Sequence, residues 1–269
     1  MRQWRLIYDS PAAGRHNMAV DQAILEAVAA GQSPPTLRLY AWEPPCLSLG
    51  YGQRAGDVDF ERTAAYGWDV VRRPTGGRAI LHTDELTYSL CLPDTDELAA
   101  GSVVESYQRI SAVLLAGLRQ LGAQPQAEAQ AERAAVGPVC FETPSHYEIT
   151  VDGRKLVGSA QARRGGGVLQ HGSLPLVGDL GRICDGLAYA DEAARQAGKE
   201  AVRARAITLQ EALGWPVTYE EVAEALMDGF AETFGVRFQY ASLSPQEQAR
   251  AEVLAGEVYG SEAWTRRRA

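Results

Sequence analysis

Lysine is almost missing from this chain: Lys155 and Lys199 are the two it has, against 24 arginines. Long apolar runs are missing as well. None approaches the roughly 20 residues that a membrane-spanning helix requires, so no membrane partner is expected. Positive charge is in deficit, with a formal net charge of -8, which argues against nucleic-acid binding as the main task. The four cysteines, Cys46, Cys91, Cys140 and Cys184, lie more than forty residues apart. Without CxxC or CxxH spacing a structural zinc site is not expected, and no metal or other cofactor is called for. Reduced thiols fit a cytoplasmic chain. The opening MRQWRLIYDSP has neither the apolar stretch nor the cleavage site of a signal peptide, so a cytoplasmic location is the expectation.

What is present reads as short β-like runs with helical patterns around them. Residues 17–30 carry Met18, Asp21, Ile24, Leu25 and Val28 at helical spacing, with Gly31 as a stop. β-like runs follow at 36–42, 46–52 and 68–73, and across 79–92 as two strands or one bent one. A helix fits 103–121, closed by Gly122. Asp152-Gly153 between YEITV and KLVGSAQ is a hairpin signal, and 167–177 supplies another strand. Residues 180–213 read as mostly helical. Thr218 with Glu221 forms a capping box, VRFQY a strand, and Ser244 begins a last helix running towards Tyr259. The pattern predicts one α+β domain over 1–269, built on a central mixed, largely antiparallel β-sheet flanked by helices.

Three segments carry chemistry. In PVCFETPSHYEITVDGRKLVGSAQ, residues 138–161, Cys140 stands fifteen residues ahead of Lys155. An ammonium beside a thiol favours the thiolate, which is the nucleophile. At about 4 Å and an effective dielectric near 20 the attraction is roughly 4 kcal/mol, enough after desolvation to lower the thiol pKa. His146 and His171 are alternative bases. In RRPTGGRAILH, residues 72–82, Arg72 and Arg73 are placed to hold an anionic or carbonyl group, and Gly76-Gly77 to let backbone approach a ligand. His82 in that loop is a proton donor or acceptor. The loop is neither a P-loop nor a dinucleotide fingerprint. In GSAQARRGGGVLQHGS, the small residues Gly158, Ser159, Ala160 and Gly172 leave room for a slim ligand.

Together RRPTGGRAILH, CFETPSHYEITVDGRKLVGSAQ and VLQHGS resemble the biotin/lipoate protein ligase catalytic-domain family, most closely its octanoyl-acyl-carrier-protein:protein N-octanoyltransferases. NMAVDQA, LSLGYGQ and EAWTRRR extend the likeness over nearly the whole chain. The resemblance implies a catalytic core over about 31–242 with a C-terminal helical extension, a monomer, and Cys140 and Lys155 as the catalytic pair. It implies that octanoyl-acyl carrier protein acylates Cys140. A lysine of a lipoyl domain, such as that of the glycine-cleavage H protein, then takes the acyl group as an amide, without ATP. Arg73, Gly76, Gly77, His82, Ser159, Ala160, Gln161 and Gly172 would line the acyl tunnel and reacting carbonyl. The alternatives weighed are an ATP-dependent lipoate-protein ligase on the same fold and a lipoyl-domain amidotransferase. A Cys-His hydrolase and a non-catalytic scaffold complete the set. Arg78 stands where a third glycine is common in the ligases. Acidic protein partners would need a local basic patch, with Arg72-Arg73 or Arg163-Arg164 as the candidates.

Overall fold

The computed structural model describes residues 2–128 and 148–268, so Cys140 and His146 lie outside the described residues. The strands are β1 (Arg2–Tyr8), β2 (Thr36–Tyr40), β3 (Cys46–Leu49), β4 (Asp69–Arg72), β5 (Ile80–His82) and β6 (Glu85–Pro93). They continue with β7 (Gln126–Glu128), β8 (Glu148–Val151), β9 (Arg154–Arg164), β10 (Gly167–Pro175) and β11 (Val236–Tyr240). The helices are α1 (Gly14–Ala29), α2 (Phe60–Ala65), α3 (Val103–Gln120), α4 (Glu192–Arg205), α5 (Leu209–Leu213), α6 (Tyr219–Phe234), α7 (Pro245–Leu254) and α8 (Glu262–Thr265).

Eight strands form the main sheet in the order β11-β1-β2-β6-β10-β9-β8-β7, and β4-β3-β5 form a smaller one. In the main sheet β1 runs parallel to β2 and β11, and the other pairs are antiparallel. This is the mixed, largely antiparallel sheet that the strand pattern predicts. Residues before 31 supply β1 to this sheet and α1 to one of its faces.

Local chemistry explains most elements. The β8–β9 hairpin turns at Asp152 (φ 51°) and Gly153 (φ 72°), both left-handed as a tight two-residue turn requires. Helix α6 begins at the Thr218–Glu221 capping box, and Ser102–Glu105 and Ser244–Glu247 start α3 and α7 in the same way. Residues 79–92 divide into β5 and β6. The 180–213 stretch begins with a short tight helix at Leu180–Gly186 before α4 and α5, and α7 continues as a wider-turn helix at Ala255–Tyr259.

Alternation along β6 and β10 separates the two faces of the sheet. On one face Leu86, Tyr88, Leu90, Leu92, Val168 and Leu174 pack against Ile110, Val113, Leu114 and Leu118 of α3 and Val222, Leu226 and Phe230 of α6. On the other, Cys91 and Leu169 meet Met18, Ile24, Leu25 and Val28 of α1 and Leu254 of α7. The candidate site lies on this second face.

Candidate active site

Register places Tyr40 of β2, Thr87 of β6, Ser173 of β10 and Gly158 of β9 in one row across the sheet. The next row on the same face is Arg38, Ser89, His171 and Ala160. Side chains shrink towards β9, where glycine and alanine leave space above the sheet. That space is a cavity of about 180 Å³, with Met18, Tyr40 and Trp42 in its wall. Arg73, Gly77, Arg78 and His82 border it from the RRPTGG side, and Lys155, Ser159, Ala160, His171 and Gly172 from the sheet. Gly76 and Gln161 are outside that wall.

Lys155 opens β9 and is buried, 3% exposed. Its ammonium donates to Glu148 Oε1 at 2.8 Å, from the adjacent strand β8. Burial of an ammonium needs such a partner. Glu148 is therefore a member of the site that sequence reasoning missed. It lies seven residues before Lys155, and only the hairpin brings the two together.

The RRPTGG loop is braced from inside. Arg73 donates to the Ser48 carbonyl at 3.0 Å, to Gly76 O at 2.8 Å and to Arg78 O at 2.7 Å. Gly77 has φ 91°, and a Cβ there would come 2.8 Å from the Arg73 guanidinium. Arg72 is fully buried and turned away from the cavity. It donates to the carbonyls of Gly50, Gln53 and Thr265 at 2.7, 2.7 and 2.8 Å. This corrects two expectations. Arg72 holds backbone rather than an anionic ligand, and the buried Arg72-Arg73 pair is no surface patch.

Both cavity histidines are held at both ring nitrogens. His171 Nε2 meets Thr75 Oγ1 at 2.6 Å and Nδ1 meets Asp21 Oδ2 at 3.4 Å. His82 Nε2 meets Ser48 Oγ at 2.8 Å and Nδ1 meets Glu85 Oε1 at 3.0 Å, with Trp42 stacked on the ring at 4.0 Å. Burial pushes the His171 imidazole below its ordinary value, although Asp21 works against this. Burial would raise the Asp21 carboxyl. The His171 hydrogen bond, the Arg38 guanidinium and the Ser89 hydroxyl overcome that and hold it below the usual carboxylate range. A neutral His171 donating from Nδ1 to Asp21 and accepting from Thr75 fits these contacts. His171 thus ties the loop to α1 and is poorly placed to act as a base.

The remaining sequence candidates divide by strand alternation. Ala160 faces the cavity row. Ser159 Oγ lies 2.8 Å from Tyr88 OH, and Gln161 donates to Gln170 at 3.0 Å and Ser106 at 3.2 Å. A Cβ on Gly172 would lie 2.5 Å from Ser159 Oγ and 2.6 Å from Tyr88 Cε1. Its smallness serves close packing beside the cavity rather than ligand space alone. Tyr40, Trp42, Thr87 and Ser173 were not read from the sequence. No local pattern marks them: only register assembles Tyr40, Thr87 and Ser173 in one row, and Trp42 joins by stacking on His82. Among the described residues no group of three or more His, Cys, Asp or Glu side chains could hold a metal ion, and no helix is long and apolar enough to cross a membrane.

The lipoyl protein ligase A/B catalytic domain matches residues 13–231. The chain belongs to that family. Its similarity to octanoyltransferase LipM of Kyrpidia tusciae is 44% identity over 275 residues, covering 100% of both chains. Octanoyltransferase LipM of Symbiobacterium thermophilum is 41% identical, covering 98% of each. Among solved structures, the bi-partite lipoate protein ligase of Thermoplasma acidophilum superimposes with a TM-score of 0.83 at 26% identity, over 99% of this chain and 97% of that one. The family's α+β fold with a mixed central sheet is the one described above, and the chain is an acyltransferase within that family.

Proposed function

We propose that this protein moves an octanoyl group from octanoyl-acyl carrier protein to the ε-amine of a lysine on a lipoyl domain, such as that of the glycine-cleavage H protein. The carrying observation is full-length similarity to octanoyltransferases, joined to a cavity that Gly158 and Ala160 leave open above the sheet and that the buried Lys155 ammonium borders. Cys140 is the proposed nucleophile. Its thiolate attacks the thioester carbonyl, the carbon–sulfur bond to the carrier breaks, and the carrier thiolate leaves and takes up a proton. The neutral lysine amine then attacks the acyl-enzyme, loses a proton and expels the Cys140 thiolate. Exchange between thioesters is nearly balanced and amide formation runs downhill, so ATP has no role.

Lys155 acts in this chemistry together with Glu148. The Lys155–Glu148 pair carries no net charge, so it acts on a nearby thiol as an oriented dipole rather than as a bare cation. The ammonium favours the thiolate, and then the oxyanion, only where it is the nearer of the two groups. Arg73 and His171 hold the loop over the acyl chain, and Ala160 and Gly158 leave it room. Gly76, Gly77, His82, Ser159, Gln161 and Gly172 support that wall, some of them indirectly.

Likeness to a lipoate protein ligase structure favours a second reading, an ATP-dependent ligase. The two part on one assay. Intact-mass analysis of a lipoyl domain incubated with the protein and octanoyl-acyl carrier protein, without nucleotide, should show one octanoyl addition. Addition that occurs only with free octanoate and ATP would establish the ligase instead.

A further inference from the structure

Around Tyr51 the described surface gathers guanidinium groups that no carboxylate answers. Arg267 Cζ lies 3.6 Å from the Tyr51 ring centroid and Arg164 Cζ lies 5.0 Å from it. Arg267 also donates to Tyr51 O at 2.6 Å, and Arg268 to Gly52 O at 3.5 Å. Arg72 sits beneath them, bound to the carbonyls of Gly50 and Gln53. Arg164, Arg267 and Arg268 make no ion pair among the described residues, whereas the half-buried Arg182 and the exposed Arg203 and Arg250 each meet a carboxylate. Among the described residues Arg267 Nε is buried without a hydrogen-bond partner. In a chain of net charge -8, massed like charge left unanswered is costly to the free protein. A bound anion would relieve it.

The position of the cluster gives it meaning. Tyr51 N donates to Thr75 O at 2.8 Å, which joins this surface to the RRPTGG loop. Gly77 and Arg78 of the same loop border the cavity. The guanidiniums therefore flank the loop under which an acyl chain would enter. Hydrogen bonding and charge from Arg267, then charge from Arg164, also draw the Tyr51 phenol below its ordinary value, as a strongly positive surface would.

We infer that Arg164, Arg267 and Arg268 form the docking surface for the acyl carrier protein that delivers the chain, receiving its phosphodiester and the acidic surface around it. The choice of this partner rests on the proposed octanoyl-transfer reading. A carrier protein holds its acyl thioester on an arm attached through a phosphodiester, and guanidinium forks match phosphate oxygens. The acceptor domain instead presents a lysine amine, which carries no phosphate for the guanidinium forks to grip. Of the two protein substrates, the donor is the one that brings a phosphodiester to this surface.

The test is binding of fluorescently labelled holo-acyl carrier protein, with no acyl group and no turnover, so it reads out whether or not Cys140 carries the chain. Wild-type affinity should fall steeply as salt rises. Arg164→Glu with Arg268→Glu should weaken binding by about tenfold or more and flatten the salt dependence, and the double Gln variant should lose less. Carrier protein lacking its phosphodiester arm should bind the wild type more weakly than the holo form. Binding of a lipoyl domain should change little. Salt-independent binding by the wild type would overturn the proposal. So would unchanged affinity in both double variants, or a loss confined to the lipoyl domain.

Discussion

Towards α3 and α6, β6 presents Leu86, Tyr88, Leu90 and Leu92; towards α1 it presents Thr87, Ser89 and Cys91. Strand β10 does the same, with Val168 and Leu174 on one side and His171 and Ser173 on the other. The first face is apolar and close-packed, so its energetics are those of burial. The second holds Asp21, Arg38, Tyr40, Ser89 and His171 in one hydrogen-bonded network beside the cavity. Such a network fixes geometry more than it adds stability. Damage to the apolar face should therefore appear in unfolding, and damage to the polar face in catalysis.

The largest effect belongs to the polar side of the hairpin. Lys155→Met should lower kcat/KM for octanoyl transfer by about 10²–10³, the cost of losing one donor to a developing oxyanion. It should also slow alkylation of Cys140 at neutral pH. Glu148→Gln removes the carboxylate that Lys155 meets at 2.8 Å and should speed that alkylation. Equal rates in the wild type and both variants would remove Lys155 from any part in ionising the thiol.

On the apolar face Leu90→Ala should destabilise by about 2–5 kcal/mol in denaturant unfolding, with activity per folded molecule little changed. Between the two faces, Gly172→Ala drives a Cβ against Ser159 and Tyr88. A loss of about 1–3 kcal/mol is expected, together with a weaker fit of the acyl chain, read as a raised KM. An alanine variant that unfolds like the wild type would show that the strand can shift without cost.

The smallest effect is a pH dependence. The folded pKa of His171 lies below the ordinary 6.5, so as pH falls the unfolded chain takes up this proton first. Stability from this group is therefore intact above about 6.5 and declines as pH falls below it. Asp21, Arg73 and His82 face the imidazole, and Asp21, whose pKa is depressed, withdraws its own contribution only at much lower pH. Urea midpoints across this range should slope less in His171→Gln than in the wild type. Parallel slopes would mean that His171 titrates alike in both states.

How much of this was legible in the sequence depended on distance along the chain. The 152–153 turn, the 218–221 capping box and most helices were readable because their determinants lie within a few residues of each other. Strand β1 was not. RQWRLIY has no clean alternation, and its partners are β2 and, more than two hundred residues away, β11. Helix α2 is a six-residue piece whose start depends on the Asp59 side chain accepting from Arg62 N. Arg72 was misread because the carbonyl of Thr265 that satisfies it lies 193 residues away. The cavity row of Tyr40, Thr87, Ser173 and Gly158 spans four strands, and sequence carries no register between strands so far apart. The 162–164 arginines were legible as a candidate surface. That Arg164 would share the Tyr51 ring with Arg267, while Arg163 turns to the carbonyls of Gly101 and Ser102, was not.

Cys140 is the proposed carrier of the acyl group. Its most direct test is peptide mass analysis after incubation with octanoyl-acyl carrier protein in the absence of ATP and acceptor. One octanoyl group should appear on the peptide containing Cys140, and it should leave when a lipoyl domain is added. Octanoyl transfer to the lipoyl domain by a Cys140→Ala variant at the wild-type rate, with no adduct at any residue, would contradict the account.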